Sequence, residues 1–408
     1  MLYDLHELQR SFLTPLAAFT DTGSQIFSNP YSPLAYTPVS RQMAAMYELV
    51  HRLGKDYEKP QWGLNQTKVN GKLVNVSEHT AMQKSFCNLI HFQRDGGSTT
   101  QDDPRILLVA PLSGHHATLL RDTVRALLPS HDVYVTDWLD ARMVPASAGS
   151  FTLNDYVRYV QDFIRLLGPD VHVMSVCQPT VPVLAAISLM AANNEPCLPR
   201  SMIMMGGPID CRQSPTQVNR LATTKAYSWF EDNVIHRVPA RYPGAGRKVY
   251  PGFLQHAGFM AMNPDRHLRS HYDFYMDLLK GDDDDAEAHR RFYDEYNAVL
   301  DMPAEFYLDT IKTVFQDYQL PRGSWQVDGQ TVNPAAIKNV ALFTIEGEFD
   351  DISGQGQTQA AHELCSSIPK NLRRHYTAPG CGHYGIFSGR RWRETICPKI
   401  AEFVRKTA

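Results

Sequence analysis

Short apolar runs alternate with longer stretches of helical periodicity along much of the chain. The runs are rich in β-branched side chains and lack the polar–apolar alternation of a strand with one exposed face. They predict strands at 106–111, 133–138, 171–176, 202–205 and 340–345. The stretches of helical periodicity predict helices at 116–128, 154–167, 180–192, 358–366 and 391–406. This alternation predicts an α/β fold with a mostly parallel central sheet and helices on both of its faces.

The alternation of strands and helices is interrupted between residues 208 and 334. From Tyr227 to Tyr318, 17 of 92 residues are aromatic, about 18% against 10% in the whole chain. An insertion at this place in the strand order predicts a lid over the edge of the sheet. We expect at least half of its aromatic side chains to fill the lid's own core, and others, such as Tyr250 and Phe253, to be exposed. The acidic run Asp282–Asp285 predicts a solvated loop, because adjacent like charges repel.

These patterns divide the chain into four segments. An N-terminal helical segment (1–60) precedes the first part of the α/β core (61–207), the inserted lid (208–334) and the second part of the core (335–408). Residues 70–95 predict two further strands at the start of the core. Thr152 and Asp155 have the spacing of a capping box, which predicts that a helix begins there.

The composition narrows the class of protein. Hydrophobic residues make up 43% and charged residues 20% of the 408 positions, which excludes a disordered or fibrous chain. A net charge of −3 without a basic block argues against nucleic-acid binding. No apolar stretch is long enough for a membrane span, and the acidic N-terminus predicts no export signal. Seven cysteines without a C-x-x-C pair argue against a disulfide framework or a zinc finger, so we expect a soluble, cytoplasmic protein.

One strand-to-helix junction carries a pattern typical of a nucleophile. The predicted strand 171–176 runs through Ser175 into Cys177, Gln178 and Pro179, and a helix follows at once. This order matches the nucleophile elbow, usually written G-x-S-x-G, in which a sharp turn lifts the nucleophile out of the sheet. A thiol at a helix N-terminus beside a histidine reacts as the thiolate. The alternative is a buried structural cysteine at the end of a strand.

An acid and a histidine follow Cys177 in the chain. Asp350 and Asp351 lie in an acidic turn after the strand 340–345, and His383 lies between glycines after a last short strand. Catalytic groups of open α/β sheets lie at the carboxyl ends of the strands. The order nucleophile, acid, histidine is the one found in α/β-hydrolases.

The segment after the strand 106–111 is a candidate oxyanion hole. The amide of Ser113 in this loop and the amide of Gln178 after the nucleophile are the two expected donors. His115 and His116 are adjacent, so they face apart, and no carboxylate cluster completes a metal site. We therefore expect neither a metal nor a cofactor.

Six strings of the sequence resemble the intracellular polyhydroxybutyrate depolymerases, a family of the α/β-hydrolase superfamily. They are PLSGHHATLLRD (111–122), VYVTDW (133–138), SVCQPTVPVL (175–184), MGGPI (205–209), YPGFLQHAG (250–258) and CGHYGIFSG (381–389). The resemblance extends over nearly the whole chain, and it also includes the related polyester synthases, which use a cysteine to form the same bond.

The resemblance implies a function and a role for each candidate residue. Cys177 would be the nucleophile, His383 the base and Asp350 the acid that orients it, although Asp351 next to it stays open. The substrate would be amorphous polyhydroxybutyrate or its oligomers, at the surface of cytoplasmic granules. Acyl transfer, as in polymer synthesis or coenzyme A thiolysis, is the alternative reaction, and a non-catalytic granule-binding protein is the alternative class. The sequence also leaves a homodimer open.

Overall fold

The structure is a computed structural model that describes residues 2–95, 103–262 and 264–407. Its strands are β1 (Gln66–Val69), β2 (Lys72–Gln83), β3 (Cys87–Arg94), β4 (Arg105–Val109), β5 (Asp132–Trp138), β6 (Val171–Val176), β7 (Ser201–Met205), β8 (His236–Arg237), β9 (Lys248–Tyr250), β10 (Met302–Pro303), β11 (Gln326–Val327), β12 (Gln330–Thr331), β13 (Ala341–Gly347) and β14 (Arg373–Ala378).

Helices precede, connect and follow these strands. The α-helices are α1 (Leu2–Ser28), α2 (Ser40–Gly54), α3 (Arg121–Leu127), α4 (Leu153–Leu167), α5 (Thr180–Ala192), α6 (Gln217–Thr224), α7 (Tyr227–Asn233), α8 (Gly252–Met262), α9 (Pro264–Lys280), α10 (Asp283–Asn297), α11 (Ala304–Thr310), α12 (Ala361–Leu364), α13 (Gly389–Arg391) and α14 (Cys397–Thr407). Two π-helical segments, Ile311–Gln316 and Trp392–Ile396, extend α11 and α13.

The described residues form one large sheet of nine strands. Its order is β1-β2-β3-β5-β4-β6-β7-β13-β14, and two small sheets, β10-β9-β8 and β11-β12, lie apart from it. The pairs from β1 to β5 are antiparallel, and every pair from β5 to β14 is parallel. The predicted α/β fold with a mostly parallel sheet is therefore confirmed.

The central strands form because their side chains are apolar on both faces. Every residue of β6, β7 and β13 is buried, as expected for strands with helices on both sides. Buried residues of α3, α4, α5 and α14 join these strands in one apolar core. All five predicted parallel strands are confirmed within two residues, and the two strands expected in 70–95 are β2 and β3.

The predicted helices differ in how well they match the structure. The capping box predicted at the start of α4 is confirmed, because Thr152 and Asp155 each accept a hydrogen bond from the other's backbone amide. The helix predicted at 116–128 begins as a 3-10 turn, Ala117–Leu120, before α3. The helix predicted at 358–366 is reduced to the single turn of α12. Among the described helices, none is long and apolar enough to cross a membrane.

The chain separates into two compact units. One unit consists of the N-terminal segment up to Pro60 together with Gly252–Val299, and the other consists of Gln61–Pro251 and the segment from Leu300 to the C-terminus. The central sheet belongs to the second unit. In the first unit α1 packs along α2, where His51 Nδ1 lies 2.9 Å from the carbonyl oxygen of Ala17. The four-segment division stays a prediction, and its lid segment contributes residues to both units.

Two expectations for the aromatic-rich segment are wrong. The acidic run Asp282–Asp285 is exposed, but it starts α10 rather than forming a loop: Asp282 is the N-cap, and its carboxylate accepts the amide of Asp285 at 3.3 Å. Carboxylates at this end of a helix are stabilised by its dipole. Tyr250 and Phe253 are partly buried instead of exposed. Of the 17 aromatic side chains between Tyr227 and Tyr318, only Tyr272 is exposed.

Candidate active site

The candidate residues lie at the carboxyl ends of adjacent parallel strands. β4 and β6 are neighbours, yet the chain leaves them toward opposite sides of the sheet, to β5 and to β7. Such a switch in strand order leaves a crevice at that edge, where open α/β sheets bind their ligands. The edge carries Cys177 after β6, Asp350 after β13 and His383 after β14.

Cys177 occupies a strained turn between β6 and α5. Its φ is +69°, a left-handed conformation that side chains other than glycine seldom adopt. Its amide donates a 2.7 Å hydrogen bond to the carbonyl of Met205 in the neighbouring strand, which holds the turn to the sheet. Pro179 follows with φ −64° as the N-cap of α5, so its ring fits the start of the helix without strain. As a residue, Cys177 is partly exposed at the end of the strand.

The residues that follow β7, the strand next to this turn, have no room for a side chain. Gly206, at the end of β7, has φ +55°, and a Cβ there would lie 2.6 Å from Ile386 Cδ1 and 3.3 Å from both Asp350 Oδ2 and His383 Cε1. At Gly207 a Cβ would lie 1.8 Å from the hydroxyl oxygen of Thr180 at the start of α5. These two glycines let β7 approach the candidate residues closely.

Asp350 is fixed by its own loop. Its side chain is 0% exposed, and its Oδ1 accepts the amides of Ile352 at 2.9 Å and Ser353 at 2.8 Å. The buried carboxylate of Glu346, near the end of β13, accepts the amides of three residues further along the loop at 2.8–2.9 Å: Gly356, Thr358 and Gln359. Five backbone hydrogen bonds therefore hold the loop in one conformation and leave Oδ2 of Asp350 free to face the histidine.

His383 links the carboxylate to the sulfur. Its Nδ1 lies 2.8 Å from Asp350 Oδ2, and Cys177 is close enough to the ring to raise its pKa. Burial of the ring lowers its pKa, but the negative charges and hydrogen bonds of Asp350 and Cys177 raise it by more. The pKa of His383 therefore lies well above its ordinary value.

The neighbouring carboxylate, Asp351, is in a different position. It is exposed at the surface of the loop, whereas Asp350 is buried against the ring of His383. The structure thus brings Cys177, His383 and Asp350 together and leaves Asp351 outside the group.

The loop after β4 lies beside the Cys177 turn. Val109 and Ser175 are paired residues of β4 and β6, so the segments that follow them leave the sheet side by side. The Ala110 carbonyl accepts Trp138 Nε1 at 2.8 Å and the Tyr156 hydroxyl at 3.1 Å, which fixes the start of the loop.

Two amides at this edge are available as donors. Within the described residues, neither the Ser113 amide nor the Gln178 amide donates a hydrogen bond. Gly114, at φ +100°, accepts the amide of Leu300 at 2.8 Å through its carbonyl, so the loop is held without using the Ser113 amide. Both amides therefore stay candidates for the donors of an oxyanion hole, which requires fixed N–H groups without another acceptor.

Sequence reasoning missed the side chain of Gln178. Its Nε2 and Oε1 are both buried and have no hydrogen-bond partner among the described residues. A buried amide without partners is costly, so such a group calls for a ligand. It also missed Glu346, whose role depends on amides 10 to 13 residues away.

In the described parts of the chain, no group of three histidine, cysteine or acidic side chains converges as metal ligands do.

Comparisons with solved structures find α/β enzymes of low identity. A hydrolase from Pseudomonas aeruginosa is 14% identical, with a TM-score of 0.44 over 81% of this chain and 98% of its own. A thermophilic esterase from Thermogutta terrifontis is 12% identical, with a TM-score of 0.40 over 84% of this chain and 97% of its own. A monoacylglycerol lipase from Paleococcus ferrophilus is 12% identical, with a TM-score of 0.43 over 74% and 95%.

Comparison with curated proteins finds no match. A comparison with protein families matches the family described as PHB de-polymerase C-terminus over residues 206–408. This range contains Asp350 and His383, while Cys177 and Ser113 precede it. The strand order and the turn at Cys177 are those of an α/β-hydrolase fold. Residues 206–408 of the chain thus match the polyhydroxybutyrate depolymerase family that the resemblance in the sequence predicted.

Proposed function

We propose that this carboxylic ester hydrolase cleaves the ester bonds of amorphous poly(3-hydroxybutyrate) through Cys177, His383 and Asp350. The observation that carries the proposal is the buried pair of His383 and Asp350, 2.8 Å apart, at the sheet edge where Cys177 occupies a strained turn. The pKa of His383 is raised by both Asp350 and Cys177. The family match supports the polymer as substrate. The products are 3-hydroxybutyrate and its oligomers.

The first half of the reaction is acyl transfer to sulfur. With its proton on His383, Cys177 attacks the ester carbonyl carbon as a thiolate and forms a C–S bond. The carbonyl oxygen becomes an oxyanion that accepts the Ser113 and Gln178 amides. The C–O bond then breaks as His383 gives its proton to the departing alkoxide, which leaves as the hydroxyl end of the shortened chain. An acyl-cysteine thioester remains.

The second half is hydrolysis of the thioester. His383, now neutral, takes a proton from water, and the hydroxide adds to the thioester carbonyl, again opposite the two amides. The C–S bond breaks, the acid leaves, and the thiolate and protonated ring are restored. Asp350 keeps the ring oriented through Nδ1 in both halves, since its carboxylate is held by two amides of its own loop.

Cellular location and the open alternatives follow from the same chemistry. An insoluble polyester is stored in granules, so the proposal places the chain in the cytoplasm at a granule surface, with the segment 208–334 as a lid. No cofactor takes part in either half-reaction. Acyl transfer would use the same acyl-cysteine with another acceptor, a hydroxyl for synthesis or a thiol for thiolysis.

The test is incubation of the purified chain with a suspension of amorphous poly(3-hydroxybutyrate). The proposal expects the suspension to clear, with 3-hydroxybutyrate and oligomers in the supernatant, and expects neither with Cys177→Ala. A parallel reaction contains coenzyme A. Formation of 3-hydroxybutyryl-coenzyme A instead of free acid would favour thiolysis, and binding of the polymer without any product would favour the non-catalytic alternative.

A further inference from the structure

The N-terminal helix has an exposed apolar face that is not used in the core of its own unit. Leu5, Phe12, Phe19 and Ile26 are spaced seven residues apart on α1 and are 61%, 72%, 65% and 40% exposed. Leu8 and Leu16 lie between them at 55% and 47% exposure. Positions seven apart lie on one side of a helix, so these six side chains form one stripe along about 30 Å of α1. We call the six residues the apolar face.

Most of the contacts of α1 with its neighbour lie on the other side of the helix, although the ring of Phe19 also meets that of Tyr47 in α2 edge to face, 6.1 Å between centroids. Tyr3, Ala17 and Thr20 are the buried residues of this helix. Toward α2, the Ser24 hydroxyl donates to the carbonyl of Ala44 at 3.2 Å. The helix is therefore anchored in its unit mainly through this side, and apart from the edge of Phe19 that meets Tyr47 the apolar face takes little part in that packing.

The exposed residues of α1 carry almost no charge. After Asp4, every exposed side chain of the helix is uncharged, and Glu7, Arg10 and Asp21 are partly buried. Helices that face water normally carry charged residues on the outer side. The exposed side of α1 has no charged residue along more than six turns after Asp4. Such a surface is suited to contact with an uncharged partner.

Exposed apolar side chains are concentrated in this part of the molecule. Of 19 exposed large hydrophobic residues in the described chain, 14 belong to the unit of α1 and α2, including Tyr31 at 95%, Tyr36 at 76% and Leu53 at 62%. Contiguous exposed apolar surfaces of this kind mark a binding surface in soluble proteins.

We propose that the apolar face adsorbs to the uncharged, apolar surface of the polyester itself. The inference rests on the proposed function, which supplies the polymer, but it names a separate surface for holding it. An ester polymer has no charge, which matches a face without charges. A lipid membrane with anionic headgroups would require exposed lysine or arginine, and the face has none.

A second copy of the chain is the competing occupant, and the face argues against it. Paired helices with a seven-residue repeat fix their partner and register through charged residues that flank the apolar stripe. Here the flanking positions are Asp4, Ser11, Ala18 and Gln25 on one side and Gln9 on the other, and only Asp4, at the start of the helix, is charged. The face therefore lacks the groups that would specify a helix partner, whereas an amorphous polymer requires no register.

The test compares a triple variant, Leu5→Gln, Phe12→Gln and Leu16→Gln, with a control of equal exposure elsewhere, Leu73→Gln and Leu166→Gln. Both are made in Cys177→Ala, so that the polymer is not consumed, and adsorption to amorphous poly(3-hydroxybutyrate) granules is measured by depletion. We expect the triple variant to bind at least tenfold more weakly and the control within twofold. Circular dichroism verifies that both variants stay folded.

The same substitutions in the active chain separate this inference from the proposed function. Hydrolysis of a soluble 3-hydroxybutyrate trimer should be unchanged within twofold in the triple variant. Unchanged adsorption by the folded triple variant would overturn the inference. A fall in molecular mass by light scattering would also overturn it, in favour of a second copy, as would equal loss of binding to anionic phospholipid vesicles. If the unsubstituted chain does not hydrolyse the trimer, the proposed function fails while the adsorption result stands.

Discussion

The candidate active site and the apolar face are built in opposite ways. The site uses single residues in unrepeatable positions: Cys177 at φ +69°, Asp350 with a fully buried side chain, and His383 between them. The apolar face repeats large apolar side chains along a regular helix. Each is exposed, and in the proposal none of them binds the polymer through a specific contact. Bond-making chemistry requires one geometry, whereas adsorption is the sum of interchangeable contributions. A single substitution should therefore abolish hydrolysis at the site, whereas a single substitution in the apolar face should only weaken adsorption.

Substitution of Cys177 should have the largest effect. Cys177→Ala removes the proposed nucleophile, and we expect kcat on a soluble 3-hydroxybutyrate oligomer to fall by more than about 10³-fold, as for nucleophile loss in hydrolases. Iodoacetamide should label this thiol ahead of the buried cysteines. Cys177→Gly is the matched control: it is equally inactive but more stable, by about 1 kcal/mol, because glycine adopts φ +69° without strain. A tenth of the original activity in Cys177→Ala would refute the assignment.

The two adjacent carboxylates should differ sharply. Asp350→Asn removes the charge that orients His383, and the loss for a serine triad is about 10⁴ in kcat. A thiolate depends less on its base, so we expect about 10²–10³ here. Asp351→Asn, at an exposed position, should stay within a few-fold of the original. The check is kcat for both variants side by side. A crippled Asp351→Asn beside a nearly normal Asp350→Asn would reverse the roles.

The pH profile should reveal the raised pKa of His383. Because the pKa is raised, the protonated ring persists to higher pH, and activity should be lost only as the pH rises through the raised value. A ring of ordinary pKa, about 6.5, would be about 3% protonated at pH 8, so activity at pH 8 should be greater than such a ring would allow. The measurement is kcat/KM from pH 6 to 10. An alkaline decline centred near 6.5 would contradict the expectation.

The unpartnered amide of Gln178 should affect substrate binding and stability in opposite directions. Gln178→Met removes a buried polar group without partners, so the protein should become no less stable. It also removes a candidate partner for the ester carbonyl of a neighbouring repeat unit. We expect kcat/KM for 3-hydroxybutyrate oligomers to fall about tenfold, the scale of one hydrogen bond, and that for p-nitrophenyl butyrate to change little. Gln355→Met, at an exposed position, is the control. Equal losses on both substrates would make Gln178 structural.

A feature of this structure could be predicted from the sequence when the residues that determine it lie close together in the chain. The strands and the elbow were predictable, because continuous apolar runs and a strand-turn-helix motif are signals within a dozen residues. The start of α10 was not, because Asp282–Asp285 reads as a charged loop unless its capping role is considered. For the site, the order of Cys177, Asp350 and His383 could be read from the chain, but the hydrogen bonds that fix Asp350 could not.

Dependence on contacts distant in sequence also explains why the sequence did not predict which apolar surfaces are exposed. A high density of aromatic residues predicts apolar surface somewhere, but only contacts distant in sequence decide which side is covered. In the segment 227–318 these contacts cover nearly all the aromatic residues at least in part, and only Tyr272 is exposed. In α1 the helical periodicity predicted a helix, yet the repeat at Leu5, Phe12 and Phe19 alone does not tell a packed side from an exposed one.

The smallest effect should come from one residue of the apolar face. Phe12 is 72% exposed. A flat surface would cover about half of such a side chain, a contribution of about 1 kcal/mol. Phe12→Gln in Cys177→Ala should therefore weaken adsorption to amorphous granules about fivefold. Phe12→Leu should keep most of the binding, because the face requires apolar area and not a particular shape.

The decisive measurement is additivity. If the side chains contribute independently, the logarithms of the losses for Leu5→Gln, Phe12→Gln and Leu16→Gln should sum to the loss of the triple variant, since exposed side chains without shared partners act separately. A single substitution that removes all adsorption would contradict this, because it would mean that the face holds its partner through one specific pocket. The apolar face would then resemble the active site in its construction, and the contrast between the two regions would not hold.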